Sequence, residues 1–137
     1  MTRIKHIAIR TPDPEKTAAY YKEVFGLKEV GQARAGCYLS DGYINLAILK
    51  SKDEGTGESP RDEADYAGVH QFGFMVDDVD ETCRKLEAAG AKPMTNRTDP
   101  RHAPAAGARS YYEIKFRGPD NQEFDVTASG WITGESA

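Results

Sequence analysis

The chain has 137 residues, of which 39% are hydrophobic and 29% are charged, and its formal net charge is −4 at pH 7. This composition excludes a disordered chain, and no apolar run approaches the roughly 18 residues that a membrane helix needs. Lys and Arg stand singly and are outnumbered by Asp and Glu, which argues against a nucleic-acid surface. We expect one globular domain of ordinary size.

Two stretches of the sequence repeat each other at a fixed spacing. HIAIRTPDPEKT at residues 6–17 aligns with QFGFMVDDVDET at residues 71–82, so that Asp13 matches Asp78. An internal repeat predicts two copies of one structural module. Two such modules related by a pseudo-twofold axis would share a cleft, and we expect the chemistry to occur there.

The first module begins as a strand followed by a helix. Residues 5–10 alternate apolar and polar side chains, which is typical of a half-buried strand. Asp13 followed by Pro14 predicts the start of a helix, and Gly26 predicts its end. Aromatic residues of this helix, Tyr20 among them, are predicted to pack in the core. Two further strands are expected at residues 29–39 and 43–49, joined by a turn at Asp41-Gly42.

The second module repeats this order. Asp78 and Glu81 match a capping-box pattern, and Gly90 predicts the end of the second helix. Further strands are expected at residues 91–94, 110–116 and 123–127, with a turn at residues 119–121. Two stretches rich in loop-forming residues remain. Residues 50–68 are expected to link the modules, and residues 95–109 to form either a lid or a plain surface loop.

Strand parity predicts a polar face in each module, because successive side chains of a strand point to opposite faces of the sheet. One face of the predicted strands is apolar and would lie under a helix. The other carries His6, Ala8, Arg10, Tyr43, Asn45, Ala47, Gln71, Gly73, Met75, Glu113, Lys115, Glu123 and Asp125. A polar face of this kind predicts a site for a small ligand. His70 falls on the helix side, where we expect a structural role unless a bulge turns it inward.

The two cysteines predict a reducing compartment. Cys37 and Cys83 have neither metal-binding nor redox spacing, so both thiols are expected to be free. The N-terminal stretch carries charges within its apolar run, which argues against a signal peptide. We therefore expect a cytoplasmic location.

Three segments carry a resemblance to the vicinal oxygen chelate superfamily, the group of glyoxalases, bleomycin-resistance proteins and extradiol dioxygenases. They are HIAIRTPDPEKTAAYYKEVFGL, GVHQFGFMVDDVDETCRKLEAAGAK and RGPDNQEFDV, and the resemblance covers residues 3–127. It implies an α+β fold in which two tandem βαβββ modules form a cup-shaped mixed sheet. Residues 1–130 would form a single domain, with module one at 1–50, a linker loop at 51–68, module two at 69–127 and a tail at 128–137.

The resemblance also implies a metal site. In metal-using members of the superfamily, ligands come from the first and last strands of the two modules. Carried over by position, these are His6, Asn45, Gln71 and Asp125, which strand parity also places on the polar face. The implied cofactor is a divalent ion: Zn, Ni, Mn or Fe. Only His6 and Asp125 are strong ligands, since the two amides add no charge.

Two functions are compatible with these residues, and we favour the first. It is a glyoxalase-like metal-dependent enzyme, of lyase, isomerase or dioxygenase type, acting on a small oxygen-rich metabolite. Glu123 or Glu113 would move protons and Lys115 would stabilise an anionic intermediate. The alternative is a metal-free protein that binds a small molecule, similar to the bleomycin-resistance members. The predicted substrate contacts are Arg10, Tyr43, Met75 and Trp131.

The superfamily resemblance further implies a homodimer. Its subunits would either exchange modules or pack their sheets edge to edge, as a C2 pair with two clefts. The remaining partner is a small-molecule substrate or ligand, with no nucleic acid and no membrane expected.

Overall fold

In the part of the chain that the structure describes, two α-helices and eight strands follow one another in the order βαβββ twice. The computed structural model describes residues 1–95 and 113–134. Parallel and antiparallel strand pairs both occur in these ranges, so the predicted α+β class and the two tandem modules are confirmed. Neither helix in the described ranges is long and apolar enough to cross a membrane.

The chain divides into two compact units. The first unit comprises His6–His70 and Ile132–Ala137, and the second comprises Met1–Lys5 and Gln71–Trp131. The N-terminal residues therefore belong to the second unit, and the residues from Ile132 onward belong to the first. The single domain expected over residues 1–130 stays a prediction.

Strand β1 (Arg3–Thr11), whose residues from His6 onward belong to the first unit, leads to helix α1 (Pro14–Phe25). The helix has the predicted ends, since Asp13 Oδ1 accepts a hydrogen bond from a first-turn amide at 3.1 Å and Gly26 is left-handed at φ 71°. Tyr20 is 58% exposed, so its predicted place in the core is wrong. The helix instead buries a different side, which carries Ala18.

The sheet of the first unit has the strand order β2–β3–β4–β1. The strands after the helix are β2 (Lys28–Ala33), β3 (Gly36–Ser40) and β4 (Asn45–Lys50). The single strand predicted at residues 29–39 is thus two strands that pair antiparallel. Asp41 makes the predicted turn before β4, because its Oδ1 accepts hydrogen bonds from two following amides at 2.9 and 2.8 Å. Strand β4 runs parallel to β1, with Asn45 opposite His6.

The second unit repeats this plan. Its elements are β5 (Gly68–Met75), which enters the unit at Gln71, α2 (Val79–Ala88), β6 (Lys92–Pro93), β7 (Ile114–Arg117) and β8 (Glu123–Thr127). Its strands lie in the order β5–β8–β7–β6. Asp78 caps α2 by accepting a hydrogen bond from a first-turn amide at 3.0 Å, and β8 has the predicted bounds. The loop predicted at residues 95–109, apart from its first residue, lies outside the described residues. So do the first residues of the strand predicted at 110–116.

Each unit has its own apolar core on the helix side of the sheet. The first core contains Ala18, Cys37, Leu39 and Ile48, and the second contains Val76, Cys83, Ile114, Phe116, Phe124 and Val126. Neither Cys37 nor Cys83 forms a disulfide, as predicted. The opposite, polar faces are also buried, as the exposed fractions of 1% at Asn45 and 0% at Asp125 show. Polar groups at these positions therefore need hydrogen-bond partners within the protein.

Candidate functional site

In the first unit, two of the predicted ligands, His6 and Asn45, form a buried pair. His6 is 5% exposed and Asn45 is 1% exposed. His6 Nδ1 lies 2.7 Å from Asn45 Oδ1, and Asn45 Nδ2 donates a hydrogen bond to the Ile132 carbonyl oxygen, also at 2.7 Å. Strand parity predicted that the two side chains share a face. The bond from Asn45 to the tail was not predicted, since no sequence pattern marks a contact between residues 87 positions apart.

The other predicted site residues of the first unit are Arg10 and Tyr43. Arg10 is half-buried, and its Nη1 donates a hydrogen bond to the Lys50 carbonyl oxygen at 3.0 Å. This bond ties the side chain to the end of β4. Tyr43 lies in the turn before β4 rather than in the strand and is 44% exposed. Their role as substrate contacts stays a prediction.

His70 is buried and contacts Asp62, which agrees with the structural role predicted for it. Its ring is 1% exposed, and its Nε2 lies 3.3 Å from Asp62 Oδ1. Asp62 also accepts a hydrogen bond from Ser59 Oγ at 3.2 Å, and the Tyr66 ring packs edge-on against His70. These contacts anchor the linker to the start of β5. Sequence reasoning missed Asp62, because it is one of many acidic residues in a polar stretch.

In the second unit, four side chains of the polar face form one network, the Asp125 cluster: Gln71, Glu113, Lys115 and Asp125. Gln71 Nε2 donates to Asp125 Oδ2 at 2.6 Å, and Lys115 Nζ donates to Asp125 Oδ1, also at 2.6 Å. Lys115 Nζ further donates to Glu113 Oε1 at 3.3 Å. All four residues were predicted to share the polar face, and the structure brings them together.

The Asp125 cluster shifts two pKa values. Burial raises the pKa of Glu113 from 4.5 to about 7; the Lys115 charge partly opposes this and the Asp125 charge adds to it. Burial also acts to lower the pKa of Lys115, but the charges of Asp125 and Glu113 outweigh it, and that pKa lies above its ordinary value. Glu113 can therefore exchange a proton near neutral pH beside a permanently charged ammonium group.

The remaining predicted residues of the second unit are Glu123, Met75 and Trp131. Glu123 is 6% exposed and lies opposite Arg117 on β7, so it has a cationic cross-strand neighbour. Met75 is half-buried with its sulfur close to Gly130, and Trp131 is 8% exposed. Their roles in proton transfer and in substrate binding stay predictions.

The two units fit a divalent ion unequally. In the first unit, His6 supplies an imidazole, a nitrogen donor that Zn, Ni and Fe accept. In the second, both oxygens of Asp125 accept hydrogen bonds from N–H donors, and Gln71 turns its amide nitrogen toward the carboxylate. The Lys115 ammonium already supplies the positive charge that a metal would bring. Glu113 and Asp125 nonetheless belong to a group of residues that could hold a metal ion, so the roles of Gln71 and Asp125 as metal ligands stay predictions.

Comparisons with known proteins match most or all of the chain. The sequence model of the Glyoxalase/Bleomycin resistance protein/Dioxygenase superfamily matches residues 3–126. Among solved structures, the Mn(II)-bound glyoxalase from Novosphingobium aromaticivorans superposes with a TM-score of 0.69 at 20% identity, over 100% of this chain and 43% of that one. The 2,3-dioxygenase LapB from Pseudomonas sp. KL28 gives 0.68 at 22% identity, over 98% and 43%.

A third similar structure is a variant of the methylmalonyl-CoA epimerase from Streptomyces coelicolor, in complex with 2-nitronate-propionyl-CoA. It gives a TM-score of 0.64 at 22% identity, over 93% of this chain and 96% of that one. At such identities these likenesses show the fold alone. The chain also spans less than half the length of the glyoxalase and of the dioxygenase.

Proposed function

The chain belongs to the Glyoxalase/Bleomycin resistance protein/Dioxygenase superfamily, and we propose that it is an enzyme of isomerase or lyase type that moves a proton on a small oxygen-rich substrate. The observation that carries this proposal concerns the Glu113 carboxyl. Its pKa is raised to about 7, and the charged Lys115 ammonium lies beside it. A catalytic acid or base works best when its pKa is near the operating pH. Perturbed groups of this kind mark candidate functional sites.

Glu113 would take and return the proton. Near neutral pH it is present in both protonation states, so one carboxyl can act as base and then as acid. Its side chain is 25% exposed, which lets a substrate approach it. Glu123 is the weaker candidate, because it is 6% exposed and so less open to a substrate than Glu113.

Lys115 would stabilise the negative charge that develops on a substrate oxygen when the proton leaves. Its side chain is 37% exposed, while the buried Asp125 holds its Nζ at 2.6 Å. A cation fixed in advance stabilises a transition state without reorganisation during the reaction. Asp125 and Gln71 then serve to position Lys115 rather than to react.

A divalent ion, Zn, Ni, Mn or Fe, remains part of the proposal, with His6 as a ligand. Such an ion, when bound, would polarise substrate oxygens as a Lewis acid. Elemental analysis of the purified protein tests this, and we expect stoichiometric metal that is lost in His6→Ala. Metal content unchanged in His6→Ala would remove His6 from the ligand set.

The second candidate function is a metal-free protein that binds a small molecule. One observation favours it: both oxygens of Asp125 already accept protein hydrogen bonds, so this face is satisfied without an ion. The apolar contacts would come from residues such as Met75 and Trp131, with Tyr43 and Arg10 as further predicted contacts. This candidate requires tight binding without any proton transfer.

Hydrogen–deuterium exchange separates the two candidates. The protein would be incubated in D2O with small hydroxy acids, keto acids and hydroxyketones, and loss of C–H signals followed by NMR. We expect exchange whose rate rises as the pH passes about 7 and falls roughly 10²- to 10⁴-fold in Glu113→Gln. Glu87→Gln, at an exposed position on α2, is the matched control and should exchange like the wild type. Binding of a tested compound without exchange at any pH would favour the binding protein.

We also propose that the protein acts in the cytoplasm as a homodimer. The two buried free thiols, Cys37 and Cys83, suit a reducing compartment. Light scattering should give twice the mass of one chain, and the mass of a single chain would contradict the dimer.

A further inference from the structure

A chain of two buried hydrogen bonds in the first unit links the C-terminal tail to His6. The Ile132 carbonyl oxygen accepts a hydrogen bond from Asn45 Nδ2, and Asn45 Oδ1 faces His6 Nδ1, each at 2.7 Å. We infer that Asn45 is a positioning residue that holds neutral His6 in the tautomer with its proton on Nδ1, and that the tail sets the orientation of Asn45. Only the functional consequence of this inference rests on the proposed role of His6 as a ligand.

The bond to the tail fixes the orientation of the Asn45 amide. A backbone carbonyl oxygen can only accept hydrogen bonds, so the amide nitrogen must face it. If the amide group were rotated by half a turn, Asn45 Oδ1 would face the Ile132 carbonyl oxygen. Both atoms are hydrogen-bond acceptors, so no hydrogen bond could form between them. Because Asn45 is 1% exposed, water cannot readily replace the lost donor.

The orientation of the amide in turn fixes the tautomer of His6. With Asn45 Oδ1 facing the ring, His6 Nδ1 must be the donor in the 2.7 Å contact. In its neutral form the imidazole then has its lone pair on Nε2. His6 is 5% exposed, so water has little access to this bond.

This arrangement changes the role of Asn45. The superfamily resemblance implied that Asn45 is itself a metal ligand, yet its amide oxygen accepts from His6. Histidine ligands of metals usually donate their second ring N–H to an oxygen, which orients the ring and selects the coordinating nitrogen. Asn45 would do this for His6, leaving Nε2 as the atom that coordinates an ion. The tail at Ile132 thereby becomes part of the site.

NMR of the imidazole nitrogens tests the tautomer directly. Long-range ¹H–¹⁵N spectra of ¹⁵N-labelled protein, recorded where the ring is neutral, should show His6 protonated on Nδ1, with His6→Ala used for assignment. Protonation on Nε2 in the wild type would overturn the inference. This result needs no Asn45 variant and does not depend on any enzymatic activity.

Two variants of Asn45 then separate positioning from packing. Asn45→Leu removes the acceptor at similar volume, and we expect His6 to lose its preference for the Nδ1–H tautomer. Asn45→Asp loses the donor to the Ile132 carbonyl oxygen but keeps an oxygen that can accept from His6 Nδ1, so the ring should stay protonated on Nδ1. His70, which contacts Asp62 instead, should be unchanged in both variants. A wild-type tautomer in Asn45→Leu would contradict the inference.

The functional consequence has its own measurement. Calorimetric titration with Zn²⁺ or Ni²⁺ should show affinity reduced roughly 10- to 100-fold in Asn45→Leu and less in Asn45→Asp. Equal affinities in wild type and Asn45→Leu would mean that Asn45 does not act through His6. Failure of the proton-exchange proposal at Glu113 would leave the tautomer result intact, so the two failures are distinguishable.

Discussion

The two units share one arrangement of strands but carry opposite kinds of polar site. In the first, a histidine–asparagine pair is held by a backbone carbonyl group, and in the second a buried carboxylate is held by an ammonium group and an amide. The partners also lie in different registers. Asn45 lies directly opposite His6, whereas Asp125 lies opposite Gly73, two residues beyond Gln71. The repeat has therefore preserved the backbone while the side-chain chemistry differs between the units.

The largest predicted effect, and the strongest test of this difference between the units, is the loss of the Asp125 charge in the second unit. Asp125→Asn keeps the volume but removes the charge that holds Lys115, and we expect the free energy of unfolding to fall by about 3 kcal/mol. Because Lys115 is partly exposed, we expect this loss of stability to lie at the lower end of the range for breaking a buried ion pair. Urea denaturation measures it.

The control for this change is Asp120→Asn, at an exposed position in the turn before β8. It should leave the free energy of unfolding within about 0.5 kcal/mol of the wild type. If Asp125→Asn were equally harmless, the second unit would not depend on a buried charge, and the contrast with the histidine–asparagine pair of the first unit would fail.

The pH dependence of stability sharpens the comparison further. The pKa of Glu113 is about 7 in the folded protein and has an ordinary value of 4.5, so the folded state holds this proton more tightly. Its contribution to stability is complete below about pH 4.5 and is lost as the pH rises through about 7. The free energy of unfolding should therefore fall by up to about 3 kcal/mol over this range.

Glu113→Gln should flatten that part of the curve, because the amide does not titrate. Denaturation midpoints of wild type and Glu113→Gln at about pH 5 and about pH 8 are sufficient to measure the difference. An unchanged slope in the variant would assign the pH dependence to other groups and weaken the case for Glu113 as the proton-transfer residue.

The sequence predicted most of the strands, turns and helix ends, because these depend on residues that are close together in the chain. Alternation along β1 and β8 identified the polar faces, and capping residues such as Asp13 located the helix starts. Tyr20 was misplaced because an apolar side chain near the core-facing side of a helix need not lie on it. Short-range patterns are sufficient for these elements, since turns and caps are set by a few consecutive residues.

Partner choice across the sheet could not be predicted in the same way. Parity placed Gln71 and Asp125 on one face but did not show that Lys115 would bond to the same carboxylate. The contact of Asn45 with Ile132 depends on the path of the tail. Such contacts are fixed by tertiary packing, and neither residue type nor spacing along the chain carries that information.

The smallest predicted effect concerns a feature in which the two units are alike. Asp13 and Asp78 occupy the same place in the repeat and cap their helices with nearly equal bonds, at 3.1 and 3.0 Å. Each replacement by alanine should lower the free energy of unfolding by about 1 kcal/mol, and each replacement by serine should retain most of the cap. Denaturation of the four variants measures this. If one alanine variant lost much more stability than the other, one unit would depend on its helix more than the other unit does. Equal losses would mean that the two units differ only in their polar faces.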